Sequence, residues 1–180
     1  MLVTHFGQLA VADTDVIFVL RNSAWTHPSL ITDAQAGLVA SGLFDGVSGA
    51  LDAGGTRLPP SWLAAAYRSL GPPQDLPPTA PAALGNDAAA YDAYRATAEV
   101  VSADGRTIQF RVALAAGAPG TTAAMQAVPA GRAATGRVAA RLGALEWGVA
   151  GEARHLPLPA AVSSAMVATG TTVTSAGLVL

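Results

Sequence analysis

ATAEVVSADGRTIQFRVALA, residues 96–115, is the stretch that decides the fold. Two runs rich in apolar and β-branched residues flank Ser102-Ala103-Asp104-Gly105. An Asp-Gly pair takes up positive φ without a steric cost, so it predicts a β-hairpin whose arms lie on either side. In the second arm Ile108, Phe110, Val112 and Leu114 alternate with Thr107, Gln109, Arg111 and Ala113. That alternation is the mark of an antiparallel strand with one buried and one wet face.

The elements on either side follow from the same kind of reading. After the hairpin, a threonine of Thr121-Thr122 can cap a long Ala-rich helix over about 121–142, with Met125, Val128, Thr135, Val138 and Leu142 on one face and Arg132, Arg137 and Arg141 mostly away from it. Pro129 should kink or restart that helix, and Gly143 should end it. LEWGVAGEA (145–153) reads as a last strand. Before the hairpin, TDVIFVLR (14–21) reads as a central, buried strand. A helix over 28–41 follows, opened by Pro28 and closed by Gly42, with Leu30, Ile31, Ala34 and Leu38 inward. LFDGVSGAL (43–51) reads as a second strand. Pro59-Pro60-Ser61 opens a short helix, seven prolines and glycines mark 71–86 as a connection, and DAAAYDAY (87–94) forms another short helix.

The order is strand–helix–strand, an insertion, then hairpin–helix–strand. It predicts an α+β fold: a ferredoxin-like split βαβ sandwich, with two main helices on one face of an antiparallel sheet. Residues 1–155 form that domain, 57–95 are its helical and Pro-rich insertion, and 156–180 form a separate, uncharged tail.

Composition narrows the chemistry. The chain has no cysteine and no lysine, all ten basic residues being arginine. Thiolate zinc sites, a cysteine nucleophile, a P-loop lysine and Schiff-base chemistry are therefore excluded. Charged residues are 12% of the chain against 51% hydrophobic, with a mean hydropathy of +0.39. The net charge of −2, with the arginines scattered, gives no footprint for nucleic acid. Met1 to Gly7 lacks the basic start of a signal peptide.

No catalytic, cofactor or metal site emerges. His5, His27 and His155 share no ligand spacing. Among the carboxylates, Asp45 and Asp52 belong to surface or turn positions and Asp104 to its turn. Glu146 and Glu152 on one strand would stand about 20 Å apart, too far for a glycosidase pair. Gly117-Ala118-Pro119-Gly120-Thr121-Thr122 can cradle an anion at a helix start, but it reads better as a capped turn. A hydrolase built on Ser61 or Ser175 has no base or orienting acid at a recognisable spacing. Trp25, Trp62, Tyr67, Tyr91 and Tyr94 have two readings: they line a groove for an apolar ligand, or they tie the insertion onto the sheet.

From His155 to Leu180 there is no charged residue. Small residues at Ala161, Ala165, Gly170 and Ala176 suit close helix packing in a membrane. Serine and threonine throughout make the segment a poor free span, and it is expected to pack against the sheet instead.

Residues 96–135 followed by GVAGEA (148–153) resemble the second extracytoplasmic domain of MMPL-type transporters of the RND superfamily. SAWTHPSL (23–30), LFDGVSGAL (43–51) and LGPP (70–73) are similar to the upstream part of that domain, and MVATGTTVTSAGLVL (166–180) to a late transmembrane segment. The resemblance implies a porter-like domain on the extracytoplasmic face of the membrane, contacting exported lipids or hydrophobic compounds. Partners would be such a molecule, a transporter membrane domain or a second copy. The family's intervening membrane helices, which carry an Asp-Tyr proton relay, have no counterpart between Arg154 and Ala165; Tyr91-Asp92 lies in a soluble-looking helix. The chain is thus expected not to transport by itself, and to be a remnant, a split gene product or an engineered deletion. The alternative is an independent ferredoxin-like module that binds a small molecule or regulates a partner.

Overall fold

The computed structural model describes residues 14–80, 88–118 and 121–150. Its strands are β1 (Thr14–Val19), β2 (Phe44–Ser48), β3 (Thr107–Leu114) and β4 (Glu146–Ala150). Its helices are α1 (Ser29–Val39), α2 (Pro60–Leu70), α3 (Ala88–Ala96) and α4 (Thr122–Leu142). The strands form one antiparallel sheet in the order β2-β3-β1-β4. The fold is α+β.

The alternation in β3 works as expected. Ile108, Phe110 and Val112 are buried, while Gln109 and Arg111 face away. Val16 and Phe18 of β1 lie on the same face, opposite Phe110 and Ile108 in the register. The Phe18 and Phe110 rings meet edge to face, 6.2 Å apart. Ile31, Ala34 and Leu38 of α1 and Val138 and Ala139 of α4 complete this core. Burying each large apolar side chain stabilises the fold by roughly 1.5–3 kcal/mol. β1 is central, as read, but only one of its faces is buried: Ile17 and Val19 on the other are half-exposed. On that outer face Gln109 Nε2 donates to Asp15 Oδ1 across the β1–β3 pair, at 2.9 Å.

Three expectations need correction. The first arm of the hairpin is not a strand. Thr97–Glu99 continue α3 as a 3-10 turn, and Thr97 Oγ1 donates to Tyr94 O. Only Val100–Ser102 pair along β3, through Gln109 N to Val100 O at 2.7 Å, a bridge between Val101 and Ile108, and Ser102 N to Thr107 O at 2.9 Å. The reason is competition for one edge: from Arg111 to Leu114 that side of β3 is taken by β2. Second, α4 does not restart at Pro129 but runs on as one helix from Thr122 to Leu142. Pro129 and Met125, whose carbonyl loses its intrahelical donor, are both exposed, so water can satisfy that oxygen. Third, Met125 is 57% exposed, and the inward face of α4 is Ala124, Gly131, Ala134, Thr135, Val138 and Ala139. Small residues, not large ones, let α4 lie close to the sheet. The described part of the connection at 71–86 holds a 3-10 turn at Pro73–Asp75 that packs inward through Pro73.

The predicted caps of α4 hold, whereas α1 ends at Val39 with Ala40 as its C-cap, two residues before Gly42. Thr121 Oγ1 accepts from Ala124 N at 3.2 Å, and Gly143 ends α4 in the left-handed region. No helix among the described residues is long and apolar enough to cross a membrane. The expectations for His5, Glu152, His155, Ser175 and the tail 156–180 lie outside the described residues.

Candidate functional site

The aromatic residues singled out from sequence converge on the joint between the insertion and the sheet. Trp25 follows β1 in a turn where Ala24 N donates to Gly105 O, which lays its indole under the Asp104-Gly105 turn. The indole Nε1 donates to Ser102 O at 3.1 Å and Ala103 O at 3.2 Å. α2 supplies Tyr67, whose ring stacks on Trp25 at 5.3 Å, and Trp62. α3 supplies Tyr94, which meets both Trp25 and Trp62 edge-on at 6.0 Å. Trp25, Tyr91 and Tyr94 are fully buried, whereas Trp62 and Tyr67 are half-buried against the core.

The hydroxyls of Tyr91 and Tyr94 are spent on the backbone of the insertion. Tyr94 Oη donates to Gly71 O and Tyr91 Oη to Pro77 O, each at 2.7 Å. Gln74 Nε2 adds a bond to Val101 O at 2.7 Å. Burial, with a smaller contribution from neighbouring Tyr67, raises the Tyr94 phenol above its ordinary value. The rings and their hydroxyls therefore fasten the proline-rich connection to the sheet. Trp62 and Tyr67 keep the partly open surface of the cluster.

Two clefts lie elsewhere. One, of about 210 Å³, sits at the end of β2 between the loop Asp52–Gly55 and the segment from Ala96 to Val100, with Arg111 of β3 at its side. Its charged residues are already engaged: Asp52 Oδ1 accepts from Gly49 N at 2.8 Å, and Arg111 pairs with Glu99 at 3.6 Å. The other, of about 550 Å³, is a groove between α1 and α4 bordered by Gly37, Ala40, Ala134, Arg137, Val138 and Arg141. The sequence placed the two arginines away from the buried face of α4, and the predicted fold set both main helices on one face of the sheet, but it did not place a groove between them. Helix pairing is a tertiary fact, and only their four-residue spacing hinted that they act together.

The remaining candidates stay apart. His27 is exposed, its Nδ1 within 2.9 Å of Thr26 Oγ1 and 3.3 Å of Ser23 O. Asp45 is exposed at a bulge in β2. Asp104 accepts from Ser102 Oγ at 2.6 Å and Arg106 N at 3.0 Å, and these bonds lower its pKa. Ser61 is exposed at the start of α2. Among the described residues no three His, Asp or Glu side chains gather as metal ligands.

Comparison with protein-family models, curated proteins and solved structures gives no match to this chain.

Proposed function

We propose that this chain is a non-catalytic porter-like domain, of the kind found on the extracytoplasmic side of RND and MMPL exporters, that contacts hydrophobic compounds or lipids without transporting them itself. The observation that carries this reading is the sheet. Its order β4-β1-β3-β2, with α1 crossing from β1 to β2 and α4 from β3 to β4, is the arrangement expected of a ferredoxin-like split βαβ sandwich. The segment that resembles the transporter domain, 96–135 with 148–153, begins at the last residue of α3 and takes in β3, most of α4 and the end of β4. The insertion leaves between β2 and β3 and returns through the aromatic joint, so it elaborates the sandwich without breaking it.

A fold of this class hosts many functions, so the assignment depends on binding. Native mass spectrometry of the whole chain with bacterial phospholipids and with apolar drugs tests it. Retention of at least one class at micromolar concentration is expected. Retention of none would refute the reading and favour an independent regulatory module. For that module the supporting feature is the outer face of the sheet, where Ile17, Val19 and Ala113 are half-exposed and available to a second copy.

A further inference from the structure

Arg137 and Arg141 stand one turn apart on α4, and both border the groove shared with α1. Among the described residues neither has an ion-pair or hydrogen-bond partner; the ion pair there is Arg111 with Glu99. Asp33, one turn before Gly37 on α1, is exposed and lies beyond ion-pair distance of both. Two like charges at this spacing destabilise a helix, and an anion placed between them removes that cost.

The floor beneath them is smooth and apolar. Gly37, Ala40, Ala134 and Ala140 carry no side chain beyond Cβ, and Val138 fills the gap between the helices. The Arg141 guanidinium reaches across to α1: a Cβ on Gly37 would lie 2.7 Å from Arg141 Nη2 and 3.0 Å from Val138 Cγ2. Ser41, the one hydroxyl at the rim, is committed, donating to Leu38 O at 2.6 Å and accepting from Leu43 N at 3.3 Å. The groove thus offers two forked cationic donors and an apolar trough, with no neutral polar group to recognise a sugar or a peptide. Its volume of about 550 Å³ falls in the range of small-molecule sites.

We propose that this groove binds a single-chain anionic amphiphile. Its oxyanion headgroup sits between Arg137 and Arg141, whose planar guanidinia match carboxylate or phosphate oxygens. Its alkyl chain runs away from Arg141 along Ala40 and Ala134. The inference rests on the reading of the chain as one that contacts hydrophobic compounds, and it gives that contact a location and a charge.

Calorimetric titration of the full chain with dodecyl phosphate, below its micelle concentration, tests it. One saturable site is expected. Dodecanol, with the same tail and no charge, should bind at least tenfold more weakly, and inorganic phosphate alone more weakly still. The double variant Arg137→Gln/Arg141→Gln should lose at least tenfold in affinity for dodecyl phosphate. Ala140→Leu, at an exposed position that fills the trough, should weaken it as well while leaving the circular dichroism spectrum unchanged. Laurate in place of dodecyl phosphate distinguishes a fatty-acid source from a phospholipid one, and the tighter of the two names the headgroup. If dodecanol binds within threefold of dodecyl phosphate, or the double variant binds as the parent does, the groove is not the site, yet apolar binding itself survives. If inorganic phosphate binds as tightly as dodecyl phosphate, the trough contributes nothing and the amphiphile is wrong. If none of the alkyl ligands binds, both this proposal and the reading it rests on fail.

Discussion

The rings of Trp25 and Tyr67 stack 5.3 Å apart with 7° between their planes. One belongs to the turn that leaves β1, the other to the insertion, so this contact joins two parts of the chain far apart in sequence. It defines a first prediction. Trp25→Ala removes a fully buried indole together with both of its bonds to the Asp104-Gly105 turn, and should cost about 3–5 kcal/mol. Tyr67→Ala opens a half-buried position and should cost less, roughly 1–2 kcal/mol. Urea unfolding followed by circular dichroism measures both. Equal losses from the two variants would show that Trp25 is not the keystone of the joint.

The turn above Trp25 gives a second prediction. Gly105 has φ +70°, and a Cβ there would overlap Ser23 Oγ and lie 2.6 Å from Trp25 Cδ1. Gly42 has nearly the same φ, +67°, with nothing within 4 Å. The two glycines therefore separate backbone strain from collision. Gly42→Ala should cost about 1 kcal/mol from backbone conformation alone. Gly105→Ala carries that cost plus displacement of the indole, and should lose at least about 2 kcal/mol. If thermal melts place the two variants together, the close approach of Gly105 to Trp25 is not a packing constraint.

Much of this arrangement was legible in the sequence because the decisive signals are local. The alternation from Thr107 to Leu114, the Asp104-Gly105 turn, the Thr121 cap and the Gly143 stop each depend on a few neighbouring residues. What escaped depends on competition between distant ones. Ala96–Val101 has the composition of a strand, but β2 had already claimed most of the edge it would have used. Met125 fits an amphipathic pattern, yet the close packing of α4 on the sheet selects Gly131 and Ala134 instead. The candidate site shows the same division. The five aromatics were found as residues, but that their hydroxyl and indole hydrogens reach Gly71, Pro77, Ser102 and Ala103 required knowing how the insertion returns. The α1–α4 groove escaped because neither helix alone contains it.

Pro129 sets up a third prediction. It lies inside α4, where it removes the donor that Met125 O would otherwise accept. Its face is exposed, so nothing in the core requires its ring. Pro129→Ala restores the bond and the helix propensity, offset by the greater freedom of the unfolded chain. A net gain of about 1–2 kcal/mol is expected, seen as a higher urea midpoint with an unchanged slope. A loss of stability would mean that the helix needs the proline where it stands.

Alkaline pH probes the fourth relationship, between Tyr94 and the burial that surrounds it. Burial, and secondarily Tyr67, raise the Tyr94 phenol above its ordinary value of about 10. The native state then holds a proton that the unfolded state releases once the pH exceeds about 10. The stabilisation from the neutral, buried phenol is therefore complete below pH 10, and it is lost as the pH rises from there toward the folded pKa. Stability should be flat between pH 7 and about 9, then fall. Tyr94→Phe cannot ionise, so its stability should fall less steeply over the same interval. At neutral pH it should cost roughly 0.5–1.5 kcal/mol for the lost bond to Gly71 O. The ultraviolet titration of tyrosinate offers an independent readout, since the native protein should show a late component that Tyr94→Phe lacks. If the variant and the parent lose stability in parallel above pH 10, the buried phenol is not what makes the insertion sensitive to alkali.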